Sequence, residues 1–239
     1  MTLLSDRFIA WMEAHDADSP ATPAATVVAL RDAAGGPEVL MVQRNAKGTF
    51  ASNWVFPGGK VDPEDFHGGT DILAASRRAA TREAVEEADL VVDEALLIPF
   101  SHWMPPTVVP RRFATWFYLA PAPVGVDGDV TIDGGEIVDH LWVTPTDALE
   151  RHRRGDVELV PPTWITLTHL AGFATVDEAL TQIAGREPPF YLTRMVPGDT
   201  PTVMWHHDVA YESGDLDTPG TRHRLTMTPG AWNFEEPAS

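Results

Sequence analysis

Between Asp71 and Ala88 the chain runs DILAASRRAATREAVEEA, a stretch rich in alanine and arginine, free of glycine and proline, that follows the glycine-rich FPGGKVDPED. A run of this composition predicts a helix, with Thr70 or Asp71 placed to cap it. Within it Glu83, Glu86 and Glu87 stand three and four residues apart, which gathers three carboxylates on one helix face where like charges repel. Such a face calls for bound cations. Hard divalent ions such as Mg2+ take several oxygen ligands, and carboxylates one turn apart beside a closely approaching glycine backbone supply them.

The segments around this helix predict an α+β chain. ATVVALRD and EVLMVQRN are apolar runs of strand length on either side of AAGGP, which reads as a hairpin. ALLIPFSHWM and the aromatic RRFATWFYLAPAP read as further strands. A strand through Trp142 leads into a helix with Thr144 as cap, Pro145 in the first turn and Gly155 past the end. Another helix follows the prolines of PPTWITLTHLAGF, and Thr175 with Glu178 has capping-box spacing. At the N-terminus, Leu3 to His15 predicts an amphipathic helix, with the linker DADSPATPA after it. From Pro188 onward short apolar stretches are cut by Pro and Gly. They offer too few core residues to stand alone, so strands and loops packed on the main body are expected.

Composition removes several function classes. The chain has no cysteine, which excludes disulfides, thiolate metal sites and a cysteine nucleophile. Against 17 Lys+Arg stand 35 Asp+Glu, a net charge of −18, so neither nucleic acid nor an anionic membrane is the expected partner. No apolar run approaches the roughly 20 residues of a spanning helix. The start of the chain lacks a basic segment followed by an apolar one, which makes the cytoplasm the expected location.

The stretch from Gly59 to Leu90 resembles the signature box of the Nudix hydrolases: G, five residues, E, seven residues, then R-E-U-x-E-E-x-G-U, with U aliphatic. Gly59 takes the first position, Asp65 stands for the first Glu, and Arg82, Glu83, Ala84, Glu86, Glu87 and Leu90 follow the pattern. Asp89 replaces the last Gly, at a helix end that favours the left-handed conformation. Sixteen residues rather than seven separate Asp65 from Arg82. A box split in this way, together with VFPGG, HWMPPTVVPRRFATWFYLA and LVPPTWITL, is similar to the branch containing the peroxisomal coenzyme A diphosphatases and their bacterial relatives.

The resemblance implies an α/β/α sandwich with a mixed sheet over residues 23–187, the box at about 59–90 with its insertion at about 66–74. Residues 1–22 would form an N-terminal helix and linker, and 188–239 a C-terminal extension of strands and loops. It implies Mg2+ or Mn2+ as cofactor, held by Glu83, Glu86, Glu87 and the carbonyl of Gly58. Arg82 would orient Glu83, which acts as ligand or as base, and Glu136 in GGEIVDHLWV would supply another acidic group. Arg44, Lys60, Arg111 and Arg112 are the candidate cations for an anionic substrate. The implied reaction is hydrolysis of a diphosphate linkage in a nucleotide-like small molecule, with coenzyme A or a derivative first. ADP-ribose, NADH and dinucleoside polyphosphates are the rival substrates, non-catalytic nucleotide sensing is the rival function, and a homodimer is common among such proteins. Outside the box, His206 and His207 are expected on opposite faces of a strand, Trp103 is a core residue more readily than a stacking platform, and Arg77 and Arg78 are expected in surface salt bridges.

Overall fold

In the computed structural model, residues 21–46, 52–109, 111–123, 130–132 and 134–237 are described. The helix expected over Leu3 to His15 lies outside them. Branched side chains favour extended chain in both arms of the first hairpin. β1 (Thr22–Ala33) and β2 (Gly36–Arg44) pair antiparallel from Leu30↔Val39 to Ala33↔Gly36. At its other end β1 pairs with β4 (Gly58–Lys60), from Ala24↔Lys60 to Thr26↔Gly58, while β2 pairs with β3 (Trp54–Val55) through Val42↔Val55. The segment from Trp54 to Lys60 is thus tied to both arms of the hairpin, which holds the Gly-Gly loop in place. Val27 N–H donates to the Pro57 carbonyl at 3.0 Å, and the Thr26 hydroxyl donates to the same oxygen.

The chain divides into two compact units. The larger comprises Pro23–His102 with Thr115–Pro189. The smaller gathers Trp103–Ala114 with the described residues of Met1–Thr22 and Phe190–Ser239. In the larger unit residues 98–102 of β5 (Ile98–Met104) and 115–121 of β6 (Phe113–Pro121) extend the sheet in the order β5-β6-β1-β2-β3, and β7 (Ile137–Val143) pairs antiparallel with β2.

Helix α1 (Ile72–Ala88) carries the box. Asp71 caps it as expected, its carboxylate accepting from Leu73 N–H at 3.0 Å and Ala74 N–H at 3.2 Å. Ala75, Ala79, Ala80, Ala84 and Ala88 form its buried stripe, against Ala25, Val27, Ala29, Leu40 and Tyr118 of the sheet. Small side chains on this stripe bring the helix backbone close to the strands, and with it the glutamates to the glycine loop. In this layer the hydroxyls of Ser76 and Tyr118 are satisfied: Ser76 Oγ lies 2.6 Å from the Tyr118 hydroxyl and 2.9 Å from the Leu73 carbonyl. The helix ends at Asp89 in the left-handed conformation (φ 49°, ψ 33°), with its N–H on the Val85 carbonyl at 2.9 Å.

Three further helices follow. α2 (Pro145–Arg154) starts at Thr144, whose hydroxyl accepts from Asp147 N–H at 3.2 Å, and stops at Gly155 with φ 80°. α3 is Pro161–Leu170 and α4 is Val176–Ala184. At α4 only half of the expected capping box forms. Thr175 accepts from Glu178 N–H at 3.1 Å, but the Glu178 carboxylate reaches Ala174 N–H instead of Thr175. Mixed sheet and helices together make an α+β fold of the expected kind.

The smaller unit contains an antiparallel meander, β8 (Phe190–Val196), β9 (Thr202–Trp205), β10 (Arg224–Thr228) and β11 (Ala231–Glu235). Its centre is aromatic. Trp205 is fully buried, and Trp103 stacks on Tyr191 with ring centroids 3.8 Å apart, which makes Trp103 a core residue here. Asp208 and Arg224 form a buried pair, with Arg224 Nε 2.6 Å from Asp208 Oδ2 and a second contact to Oδ1. Backbone N–H groups of Ala210 and His223 complete the carboxylate's partners at 2.8 and 2.9 Å. His206 and His207 do not lie on opposite faces of a strand. β9 ends at Trp205, the two fall in the following turn, and their ring centroids are 3.8 Å apart.

Candidate active site

Two glycines set how closely the loop and the box helix meet. A Cβ on Gly59 would stand 2.2 Å from Glu83 Oε1, and one on Gly58 would stand 2.5 Å from the Ala25 carbonyl oxygen. Any side chain at either position would force the loop away from the helix or from β1. The spacing of the glycines from the glutamates is therefore a steric requirement of this arrangement.

Arg82 is the hub of the site. Its Nη1 donates to Glu83 Oε1 at 2.8 Å and to Glu86 Oε2 at 3.1 Å, and its Nη2 donates to the Lys60 carbonyl at 2.9 Å and to Asp65 Oδ2 at 3.1 Å. Nε reaches Asp65 Oδ1 at 3.3 Å, and Asp62 lies 3.6 Å from Nη2. The planar fork serves three carboxylates and a carbonyl at once, which a lysine cannot do. The bond to Asp65, joined by the field of Glu83, raises the Arg82 pKa further above its already high value.

Asp65 sits where the box has its first Glu, and it is buried. Besides Arg82 it accepts from Asp62 N–H at 2.8 Å. Burial pushes the Glu83 carboxyl up from the ordinary range, and the opposing hydrogen bond and charge of Arg82 do not cancel that rise.

Glu87 turns to the loop. One carboxylate oxygen accepts from Gly58 N–H at 2.9 Å and the other from Arg44 Nη1 at 3.3 Å, with Glu87 only 5% exposed. Arg44 also contacts Glu136. Pairing of β2 with β7 sets Arg44 opposite Ile137, and Asn45 N–H donates to the Glu136 carbonyl at 2.8 Å. Glu86 is largely exposed.

Of the residues expected at the site, Arg82, Glu83, Glu86, Glu87, Gly58, Arg44 and Glu136 thus come together in the larger unit. Lys60 joins through its carbonyl, its side chain being exposed. Arg111 and Arg112 belong to the smaller unit, where Arg112 donates to the Pro105 carbonyl at 3.2 and 3.0 Å. Among the described residues no three carboxylate or imidazole groups converge as a preformed ion site would require. The acidic side chains are instead engaged by Arg82 and Arg44.

Two arginines differ from expectation. Among the described residues, Arg77 and Arg78 form no salt bridge and reach main-chain carbonyls instead. Arg77 Nη1 donates to the Leu97 carbonyl at 2.6 Å and its guanidinium lies 5.2 Å from the Tyr118 ring centroid, while Arg78 donates to the carbonyl of Asp65. No spacing rule points to such partners, because a main-chain carbonyl carries no residue identity.

A family model described as "NUDIX domain" matches residues 20–162. A Caenorhabditis elegans protein named nudix hydrolase 7 is 30% identical over 171 residues, covering 56% of this chain and 55% of its own. An acyl-coenzyme A diphosphatase of Xenopus laevis is 31% identical over 91 residues, covering 36% of this chain and 23% of its own. The chain therefore spans about half or less of the length of these relatives. A NUDIX hydrolase from Alicyclobacillus acidocaldarius has a similar fold, with a TM-score of 0.63 at 24% identity, covering 72% of this chain and all of that one. With the family model matching more than half its length, and with glycine loop, Arg82 and three glutamates meeting on one helix face, this chain belongs to the Nudix family.

Proposed function

We propose that this protein hydrolyses a diphosphate linkage in a nucleotide-like small molecule, and that coenzyme A or one of its derivatives is the first substrate to try. The observation that carries this reading is Glu83. It is a largely buried carboxylate held by Arg82 at 2.8 Å against a loop with no room for even a Cβ. Family membership supports the reaction class, and the name of the Xenopus relative supports the substrate.

Nudix hydrolases generally use divalent metal ions. The donor chemistry here fits such an ion: Glu86 and Glu87 are consecutive carboxylates of the box helix, and Glu87 lies within hydrogen-bonding distance of the loop backbone. These two residues would hold the ion, with the Gly58 carbonyl as a further oxygen. When bound, Mg2+ or Mn2+ neutralises charge on the diphosphate and makes a bound water more acidic.

The chain's own residues do the rest. Arg82 fixes the Glu83 rotamer, so the base needs no reorganisation to meet the attacking water. Glu83 takes a proton from that water, and its raised affinity for protons favours the transfer. Water oxygen joins one phosphorus as the bridging P–O bond breaks, and the other phosphate leaves with the bond's electron pair.

The test is turnover of coenzyme A, acyl-coenzyme A, ADP-ribose, NADH and diadenosine polyphosphates with Mg2+ and with Mn2+, beside Glu86→Gln. Turnover of one compound, lost in the variant by about two orders of magnitude or more, supports the reading. Silence across the panel, with nucleotide binding intact, overturns it in favour of a sensor.

A further inference from the structure

Arg44 lies between a carboxylate of the box helix and one of the segment leading into β7. Its Nη1 is 3.3 Å from Glu87 Oε1 and its Nη2 contacts Glu136. Glu87 is 5% exposed, so its charge has been taken out of water and must be compensated from within the protein. Gly58 N–H supplies part of that at 2.9 Å, and Arg44, at 3.3 Å, supplies positive charge. Glu136 differs, its side chain being 56% exposed and so still largely in water. The register of β2 against β7 and the bond from Asn45 N–H to the Glu136 carbonyl keep it beside Arg44.

We propose that Arg44 is an internal counter-ion that competes with the divalent cation for Glu87 and passes to Glu136 when the ion binds. This rests on the reading of Glu86 and Glu87 as the ion-holding pair. A dication on Glu87 and a guanidinium on the same carboxylate repel each other, and Glu136 is an anion already in contact with the displaced group. Among the described residues the box-helix carboxylates are each engaged by an arginine: Glu83 and Glu86 by Arg82, and Glu87 by Arg44. Arg44 would thereby keep the buried Glu87 compensated without metal, and become available to an anionic substrate only after the metal arrives.

The experiment measures Mn2+ binding by electron paramagnetic resonance without substrate, for the wild type, Arg44→Met, Glu136→Gln and the double variant. Arg44→Met should bind Mn2+ about tenfold more tightly, since a unit charge a few ångströms from the ion is removed. Its metal-free form should melt at lower temperature, and saturating Mn2+ should restore more stability than in the wild type. Glu136→Gln should weaken Mn2+ binding in the wild type and change it little in the Arg44→Met background, where there is no guanidinium to receive. Unchanged or weaker binding by Arg44→Met overturns the proposal, and so does an equal loss from Glu136→Gln in both backgrounds, which would make Glu136 a ligand itself. Should Arg44→Met fail to fold, Arg44→Gln removes the charge while keeping a polar side chain between the two carboxylates. Its Mn2+ affinity must then rise above that of the wild type, and equality overturns the competition. No Mn2+ binding by the wild type overturns the ion-holding reading along with this one, whereas binding without competition overturns this one alone.

Discussion

Asp65 Oδ2 stands 3.1 Å from Nη2 of Arg82 although the two residues are seventeen positions apart. The extra residues of the box are accommodated between them: a short 3-10 turn over Pro63–Phe66 brings Asp65 under the helix, and Asp71 starts the helix afresh. The contact depends on position after folding and is indifferent to the length of chain that bridges it.

Asp65→Asn removes the charge that Arg82 leans on but keeps the shape. Arg82 should then hold Glu83 less firmly, and kcat should fall by about 10- to 100-fold, as for other residues that orient a reacting group, with KM within about twofold. Asp65→Glu, which restores the charge, should retain more activity than Asn. Steady-state kinetics on the best substrate of the panel decides this, and a change in KM alone would contradict the orienting role.

Gly59→Ala tests the close approach directly. The new methyl would stand 2.2 Å from Glu83 Oε1, so loop or carboxylate must shift. A stability loss of about 1–3 kcal/mol by denaturant titration is expected, with turnover down more than about tenfold. Wild-type turnover would mean that Glu83 need not sit where it is seen.

Asp89→Gly concerns the helix end. Asp89 has φ 49°, a conformation in which a Cβ costs energy and glycine costs none. The substitution should stabilise by up to about 1 kcal/mol, offset in part by the greater freedom of glycine in the unfolded chain. Asp89→Val should destabilise by more than that, since a branched side chain resists positive φ. Melting temperatures of the pair check the sign of both.

The Asp208–Arg224 pair predicts acid sensitivity of the smaller unit. Burial pushes the Asp208 carboxyl up, but the hydrogen bonds from Arg224 and from the His223 and Ala210 N–H groups outweigh it and hold its pKa below the usual carboxylate value. A depressed folded pKa means stability that is complete above the unfolded value of about 3.9 and lost as pH falls through the folded one. Trp205 fluorescence, followed in mild denaturant from pH 6 downward, should report loss of structure below about pH 4. Asp208→Asn should flatten that acid limb while lowering stability at neutral pH by about 3–5 kcal/mol, because Arg224 is left buried without its partner.

Much of the larger unit was legible beforehand. The hairpin of β1 and β2, the box helix with its Asp71 cap, the Thr144 cap with Pro145 and Gly155, and the left-handed Asp89 follow from local rules that act within a few residues. The four charged box residues on the helix, Arg82, Glu83, Glu86 and Glu87, were legible as a group for the same reason, since one helix face needs only spacing. What escaped were contacts to main-chain atoms and between distant segments. Arg78 on the Asp65 carbonyl, Arg77 over Tyr118 and Glu178 on Ala174 have partners that no residue type announces. His206 and His207 lie off the strand because β9 ends with its apolar run at Trp205 and the chain turns at the two histidines.

Local rules of periodicity and sterics, which the chain carries wherever it goes, specify the elements, the helix face with its three carboxylates, and glycine beside it. Which cation serves which carboxylate is fixed by packing between distant segments. Arg82 takes Asp65, Glu83 and Glu86, and Arg44 takes Glu87 with Glu136, because pairing of β2 with β7 and the close seat of the alanine stripe on the sheet set distances that Coulomb attraction then selects among.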